Sequence, residues 1–185
     1  MSANLIVNGD AEAAVGSTDG SPVTTPGWTV DGEATAVQYG ASSYPAATDP
    51  GPADRGNNFF AGGAHDELST LSQTIDVSTY ATAIDAGGVQ AALSGYFGGW
   101  QTQNDIAVMT ATFQDGSATA IGQAVTIGGV NANDRDNMTE FLLRTATQAV
   151  PAGTRSISIV VTMTRTDGTA DDGYADDLSL ILVGI

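Results

Sequence analysis

Ile106-Ala107-Val108-Met109-Thr110-Ala111-Thr112-Phe113 alternates from one residue to the next, and Ile157-Ser158-Ile159-Val160-Val161-Thr162-Met163-Thr164 repeats the pattern later in the chain. A period of two puts Ile106, Val108, Thr110 and Thr112 on one face of a strand and Ala107, Met109, Ala111 and Phe113 on the other. In the second stretch Ile157, Ile159, Val161 and Met163 share a face. Working outward, Phe141 and Leu143 open another strand, and Leu71, Gln73, Ile75 and Val77 mark a fourth. The last runs from about Tyr174 to Val183, with Tyr174, Leu178, Leu180 and Leu182 on one side. Turn clusters separate the runs: Asp19-Gly20-Ser21-Pro22, Asp49-Pro50-Gly51-Pro52, Gly98-Gly99, Asp115-Gly116, Gly128-Gly129 and Asp167-Gly168. About nine strands at this spacing predict a two-sheet antiparallel β-sandwich, a jelly roll, over residues 1–185 as one all-β domain. Only Ser78 to Ala86 reads as helix, with Tyr80, Ala81 and Ile84 on one side, and both chain ends read as strands.

Composition narrows the function classes. The 185 residues carry five basic and 21 acidic side chains, a formal net charge of −16, which repels phosphate backbones and argues against nucleic acid. No apolar run is long enough to span a bilayer, and anionic membrane surfaces are disfavoured by charge. The absence of cysteine removes disulfides, thiol nucleophiles and Cys-zinc sites. Every basic residue is arginine and 17 of the 21 acids are aspartate. That bias reads either as solubility in high salt or as calcium binding, since aspartate is a hard oxygen ligand suited to loops. The start, Met1 to Val7, lacks the basic and apolar regions of a signal peptide. The chain is thus a module of a larger exported polypeptide, leaves the cell by another route, or stays inside.

The strand pattern also places Asp176 on the face of Tyr174, Leu178 and Leu180. A carboxylate in an apolar layer costs several kcal/mol unless a charge or strong donor meets it, which requires an arginine or a cation. If arginine, Arg165 or Arg144 would bridge to it at the mouth of the sandwich.

Three segments carry a family resemblance. Asn4-Leu5-Ile6-Val7-Asn8-Gly9-Asp10-Ala11-Glu12 resembles the opening N-L-[LV]-x-N-G-x-x-E of carbohydrate-binding jelly rolls of the galactose-binding-domain-like superfamily. Pro26-Gly27-Trp28 resembles the glycine-tryptophan that follows in that group, and Tyr174-Ala175-Asp176-Asp177-Leu178-Ser179-Leu180 resembles its final strand. The resemblance frames the chain at both ends. It implies a calcium-stabilised sandwich that binds glycans, is usually appended to something larger and lies outside the cell or on its surface. It further implies Glu12 and Asp176 as side-chain ligands of a structural Ca2+, backbone carbonyls completing the shell, with Asp10 and Asp177 near enough in sequence to help. Asp10-Ala11 departs from the small-then-aromatic pair common in the family, weakening the anchoring of that turn while adding a carboxylate.

Sugar recognition needs aromatic faces for C–H edges and amides or carboxylates for hydroxyls. The richest segment is Gly95-Tyr96-Phe97-Gly98-Gly99-Trp100-Gln101-Thr102-Gln103-Asn104-Asp105. Trp100 is the predicted stacking platform, with Tyr96 beside it and Gln101, Gln103 and Asn104 as hydrogen-bonding groups. Two loops could converge there, bringing Asn57 from Arg55 to Phe60 and Arg135 from Asn131 to Asn137. The competing reading makes Trp100 a cap on the core. Trp28 is expected in the core, and Phe59 and Phe60 are expected to split, one buried and one on the sheet surface.

Catalysis finds little support. His65-Asp66-Glu67 reads as a solvated turn, a lone histidine excludes His-rich zinc sites, and no Gly-x-Ser-x-Gly elbow exists. Asp171-Asp172-Gly173 reads as a turn, with weak calcium binding as the other possibility. The sequence therefore predicts a non-catalytic, calcium-stabilised carbohydrate-binding module for polysaccharide or cell-surface glycan. The alternative is a structural or adhesive module of a surface or virion-like assembly, without a sugar site.

Overall fold

The structure, a computed structural model, describes residues 3–185. Ten strands follow in order: β1 (Thr29–Asp31), β2 (Thr35–Gln38), β3 (Asn58–Gly63), β4 (Leu68–Asp76), β5 (Gln90–Gly99), β6 (Ile106–Gln114), β7 (Val125–Gly128), β8 (Glu140–Ala149), β9 (Ser156–Thr164) and β10 (Asp171–Val183). A 3-10 turn, Ser78–Tyr80, and a short helix α1, Ala81–Ala86, fall where the sequence predicts helix, and Ile84 is buried. The strands form two antiparallel five-stranded sheets, β1-β4-β9-β6-β7 and β2-β3-β10-β5-β8, which is the predicted β-sandwich with one strand more than expected.

The two stretches that decide the fold pair with each other. Met109 lies opposite Val161, Ala111 opposite Ile159 and Phe113 opposite Ile157, so the buried faces of β6 and β9 coincide. Phe60, Leu93, Phe97, Leu178, Leu180 and Leu182 meet them from the other sheet in one continuous core. Each such side chain gains ~1.5–3 kcal/mol on burial. Trp28 joins this core as expected, edge-on to Phe60 at 5.8 Å, and its indole N–H donates to the Asn8 carbonyl at 2.9 Å.

A second apolar cluster lies on the opposite, outer face of the β2-β3-β10-β5-β8 sheet. Val37, Phe59, Ala61, Phe141 and Tyr174 form it, and Tyr39, Ala41 and Tyr44, from the connection 39–57, pack over it. Phe59 touches four other rings at centroid distances of 4.8–6.2 Å. Phe59 and Phe60 are therefore both buried, one in each core, where one was expected on the surface. Alternation separates them correctly, but the 39–57 connection covers the face that would otherwise be wet.

From Ala3 onward the opening segment is not a strand, contrary to expectation, yet it completes the sheet. β3 pairs with β10 only as far as Ala175, and the exposed edge beyond is taken by the N-terminal segment. The Leu5 N–H donates to the Leu180 carbonyl at 2.8 Å. The Asn4 side chain accepts from the Leu180 N–H and donates to the Leu178 carbonyl, both at 3.0 Å. Leu178 N–H in turn donates to the Gly9 carbonyl at 2.9 Å. A Cβ at position 9 would collide with the Leu178 carbonyl, so the Asn-Gly of the opening motif is required by close backbone approach.

Candidate functional site

The register of β10 shifts between Asp176 and Ser179, with Asp177 in the left-handed region at φ 48°. This bulge reverses the side-chain order. Tyr174 and Asp176 face the outer cluster, whereas Ala175 before the bulge and Leu178, Leu180 and Leu182 after it face the inner core. The expectation that Asp176 shares a face with Leu178 and Leu180 is thus corrected. Asp176 is fully buried beneath the 39–57 connection, where Tyr39 donates its hydroxyl to Oδ2 at 2.6 Å and the Asp177 N–H donates to Oδ1 at 2.8 Å. Burial, followed by the Asp177 and Glu12 charges, pushes its carboxyl up to about 8. Neither arginine named from the sequence meets it. Arg165 pairs with Glu67 at 3.5 Å and Arg144 with Asp134 at 3.8 Å.

The other predicted calcium residues gather only in part. Glu12 Oε1 accepts the Asn57 and Asn58 backbone N–H groups at 2.7 and 2.6 Å, and its Oε2 accepts the Asn57 side chain at 3.1 Å. Asp10, Asp54 and Asp177 line a separate cleft. There burial, then the charges of Asp54 and Asp10, pushes Asp177 up to about 6. Among the described residues no group of three or more His, Cys, Asp or Glu side chains is arranged to hold a metal. For Ca2+ the residues fit in charge and not in arrangement.

A second set of buried acids stands at the start of β10. Asp171 and Asp172 are strand residues, not the predicted turn, and both are buried. Tyr174 donates its hydroxyl to Asp172 at 2.5 Å, while Asp171 Oδ2 has no partner. Burial is the main cause that pushes Asp171 up to about 7 and Asp172 up to about 6. Asp105, also buried, accepts from four N–H or O–H groups of Thr166, Asp167 and Asp172.

The predicted ligand residues separate into three concavities. Trp100 and Gln103 line a cleft of about 530 Å³ with Tyr44, His65, Asp19 and Asp172. Tyr96 lines another of about 460 Å³ on the outer sheet face, beside the exposed Leu143. Asn57 lines a third of about 500 Å³ and is engaged with Glu12. Gln101 is exposed at φ 44°, its N–H bonded to Thr139. Asn104 staples the loop, donating to Asp167 from its backbone at 2.7 Å and its side chain at 3.3 Å, and accepting from the Ala132 N–H.

Arg135 is a correction. It is fully buried, and its guanidinium donates to the carbonyls of Gly99, Gln101, Gln103 and Met138. It knits the loop after β5 from within, and its full burial keeps it from reaching a sugar. A loop arginine among asparagines reads as a ligand group, but here the loop wraps around it.

Trp100 is half-buried, one side against the outer aromatic cluster and the rest in the cleft wall. Sequence reasoning missed Tyr44 and assigned His65 to a solvated turn; His65 is exposed as expected but also lines the cleft. Tyr44 sits far from Trp100 in sequence, and its only mark is a lone aromatic in a Ser-rich loop. Gly20 lies against its hydroxyl, at φ 84° and with no room for a Cβ.

No protein-family model and no curated protein matches the chain. Among solved structures it is similar over 96% of its length to Family 16 Carbohydrate Binding Module-2, at 16% identity and TM-score 0.58, covering 99% of that chain. TmCBM61, solved with β-1,4-galactotriose, matches over 97% of this chain and 99% of its own, at 18% identity and TM-score 0.54. The enzymatically active domain of bacteriophage CBA120 tailspike protein 4 matches over 98% of this chain at 15% identity and TM-score 0.56, and this chain spans 21% of its length. The resemblance carried by the two ends of the sequence is therefore matched in three dimensions: the chain is a jelly roll with the fold of carbohydrate-binding modules.

Proposed function

We propose that the protein is a non-catalytic carbohydrate-binding module that takes polysaccharide or cell-surface glycan in the Trp100 cleft, outside the cell or on its surface and as part of a larger polypeptide. The observation that carries this reading is the convergence of Trp100, Tyr44 and Gln103 in one open cleft on a carbohydrate-binding-module fold. An aromatic pair beside an amide and carboxylates supplies stacking and hydrogen bonding together. Tyr96 and Leu143 offer a second apolar strip for a longer chain.

Calcium belongs to the same proposal. Asp176 and Glu12, with Asp10 and Asp177 near in sequence, would supply oxygens to an ion only after moving from the separate positions they hold in the structure. What supports it is a buried carboxylate with two further acids bearing on it and, among the described residues, no arginine paired with it. Glu12 would have to release Asn57 or Asn58 to take part.

The test is a glycan array with purified protein, run with calcium and with chelator. Selective binding supports the module reading, and calcium dependence ties the ion to it. Paired melts of the wild type and Asp176→Ala separate the ion's structural role: the variant should lose stability only when calcium is present, and an equal loss in chelator excludes the ion. A blank array would turn the reading to an adhesive or structural module without a sugar site.

A further inference from the structure

We infer that the Trp100 cleft selects sugars bearing a free amino group over their N-acetylated counterparts and rejects uronate, sulfated and sialylated glycans. The inference rests on the glycan reading above and deepens it, naming the class of sugar.

The cleft presents acceptors and almost no cationic donors. Asp19 and Asp172 stand in its wall, and Glu33, whose carboxylate accepts the Ala64 and His65 N–H groups, is close enough to bear on Tyr44. The Tyr44 hydroxyl makes no hydrogen bond within the protein among those described, and Gln103 Oε1 is buried without a partner. His65 is the one basic side chain in the lining.

Every arginine is committed elsewhere. The nearest, Arg165, turns onto the Thr169 carbonyl and Glu67, and Arg135 lies inside its cage of carbonyls. Arg155 grips Asp85 at 2.6 Å, Arg144 faces Asp134, and Arg55 holds the Pro52 carbonyl and covers the Tyr39 ring at 5.0 Å. An anionic sugar entering the cleft would give up its hydration for carboxylates, with no arginine in the lining and the exposed His65 as the single basic side chain there. A sugar ammonium finds the exposed Asp19 carboxylate in the same cleft as the Trp100 ring, an aromatic face that favours a cation, with Asp172 behind in the wall.

The test is calorimetric titration at neutral pH, where Asp172 has lost its proton, with three oligosaccharides of equal length: a β-1,4-linked glucosamine, its N-acetylated form and a uronate. The glucosamine oligosaccharide should bind about five-fold tighter than the N-acetylated one, as expected of partly exposed ion pairs. That advantage should shrink in ~0.5 M salt, where the Debye length is a few ångströms. The uronate should give no heat. Asp19→Asn should bring the ratio of the first two affinities towards one, and Trp100→Ala should weaken both.

Equal or tighter binding of the N-acetylated sugar overturns the inference while leaving the module reading in place. So does an amine preference that survives Trp100→Ala, which would be general attraction to the acidic surface. Binding of neutral glycans on the array with none of these three sugars defeats the inference alone. Failure of every glycan defeats both.

Discussion

The two apolar cores of this molecule are built by different means. The inner core is made from strand alternation: β6 and β9 contribute eight side chains at register positions that face the second sheet. The outer one is made by a connection, residues 39–57, folded back over a sheet face and held there by Tyr39, Tyr44 and five buried residues beneath. The first encloses only apolar groups. The second carries the polar features of the molecule, with Asp176 under Tyr39 and Asp172 under Tyr174. It also supplies the back wall of the Trp100 cleft. With the glycan site proposed above, stability and recognition divide between the two faces of one sheet.

The sharpest way to test this division is to excavate each core in turn. Phe97→Ala in the inner core should cost ~3–5 kcal/mol, seen as a lower urea midpoint with all probes coincident. Tyr44→Ala in the outer core should cost less, ~2–3 kcal/mol. Its loss should be local, with hydrogen exchange accelerated chiefly across residues 39–57 and the β6 and β9 amides still protected. If Tyr44→Ala instead accelerates exchange uniformly, the two cores unfold as one and the division fails.

A smaller effect distinguishes the cores by pH. Asp171 and Asp172 keep their protons in the folded protein at pH values where the unfolded chain has lost them, because burial raises both. Their contribution is full below about pH 4, the unfolded carboxylate range, and is lost as pH rises through about 6 to 7. The melting temperature should therefore fall between pH 5 and about pH 8. Asp171→Asn should flatten that slope and gain about 1–2 kcal/mol at the alkaline end. A melting temperature that rises with pH over this range would show the acids to be ionised and paired by something the fold alone does not provide.

The inner core was legible in the sequence because alternation is a local property. Ile157 to Met163 bury the side the pattern marks, and in β4 Leu71 is buried and Ile75 packs on the core, whereas in β8 Phe141 joins the outer core, Leu143 is exposed and it is Leu142 that packs on the inner one. The N-terminal motif was legible as a motif but not as structure, since Asn4 replaces a strand's backbone bonds with its side chain. The outer core was hidden for two reasons. A bulge at Asp177 switches the faces of β10 midway, so continuing the alternation of Tyr174 puts Leu178 on the wrong side. The lid over Phe59 comes from a Pro-, Gly- and Ser-rich connection with no periodicity to announce it. Of the site, Trp100 and Gln103 were legible together because they are neighbours, whereas Tyr44 and Asp19 reach the cleft through tertiary folding alone. Arg135 was misread because a buried arginine satisfied by carbonyls leaves no trace in composition.

Trp100 joins the two halves of the account, one side on the outer core and the other on the cleft. The most direct measurement is calorimetric titration of the strongest array ligand into the wild type and Trp100→Ala, with a thermal melt of each. The account predicts that the variant stays folded and loses ~1–3 kcal/mol of binding, as aromatic anchors do. Unchanged affinity in a folded variant would place the sugar elsewhere, and collapse of the fold would make Trp100 a core residue; either contradicts the cleft as the ligand site.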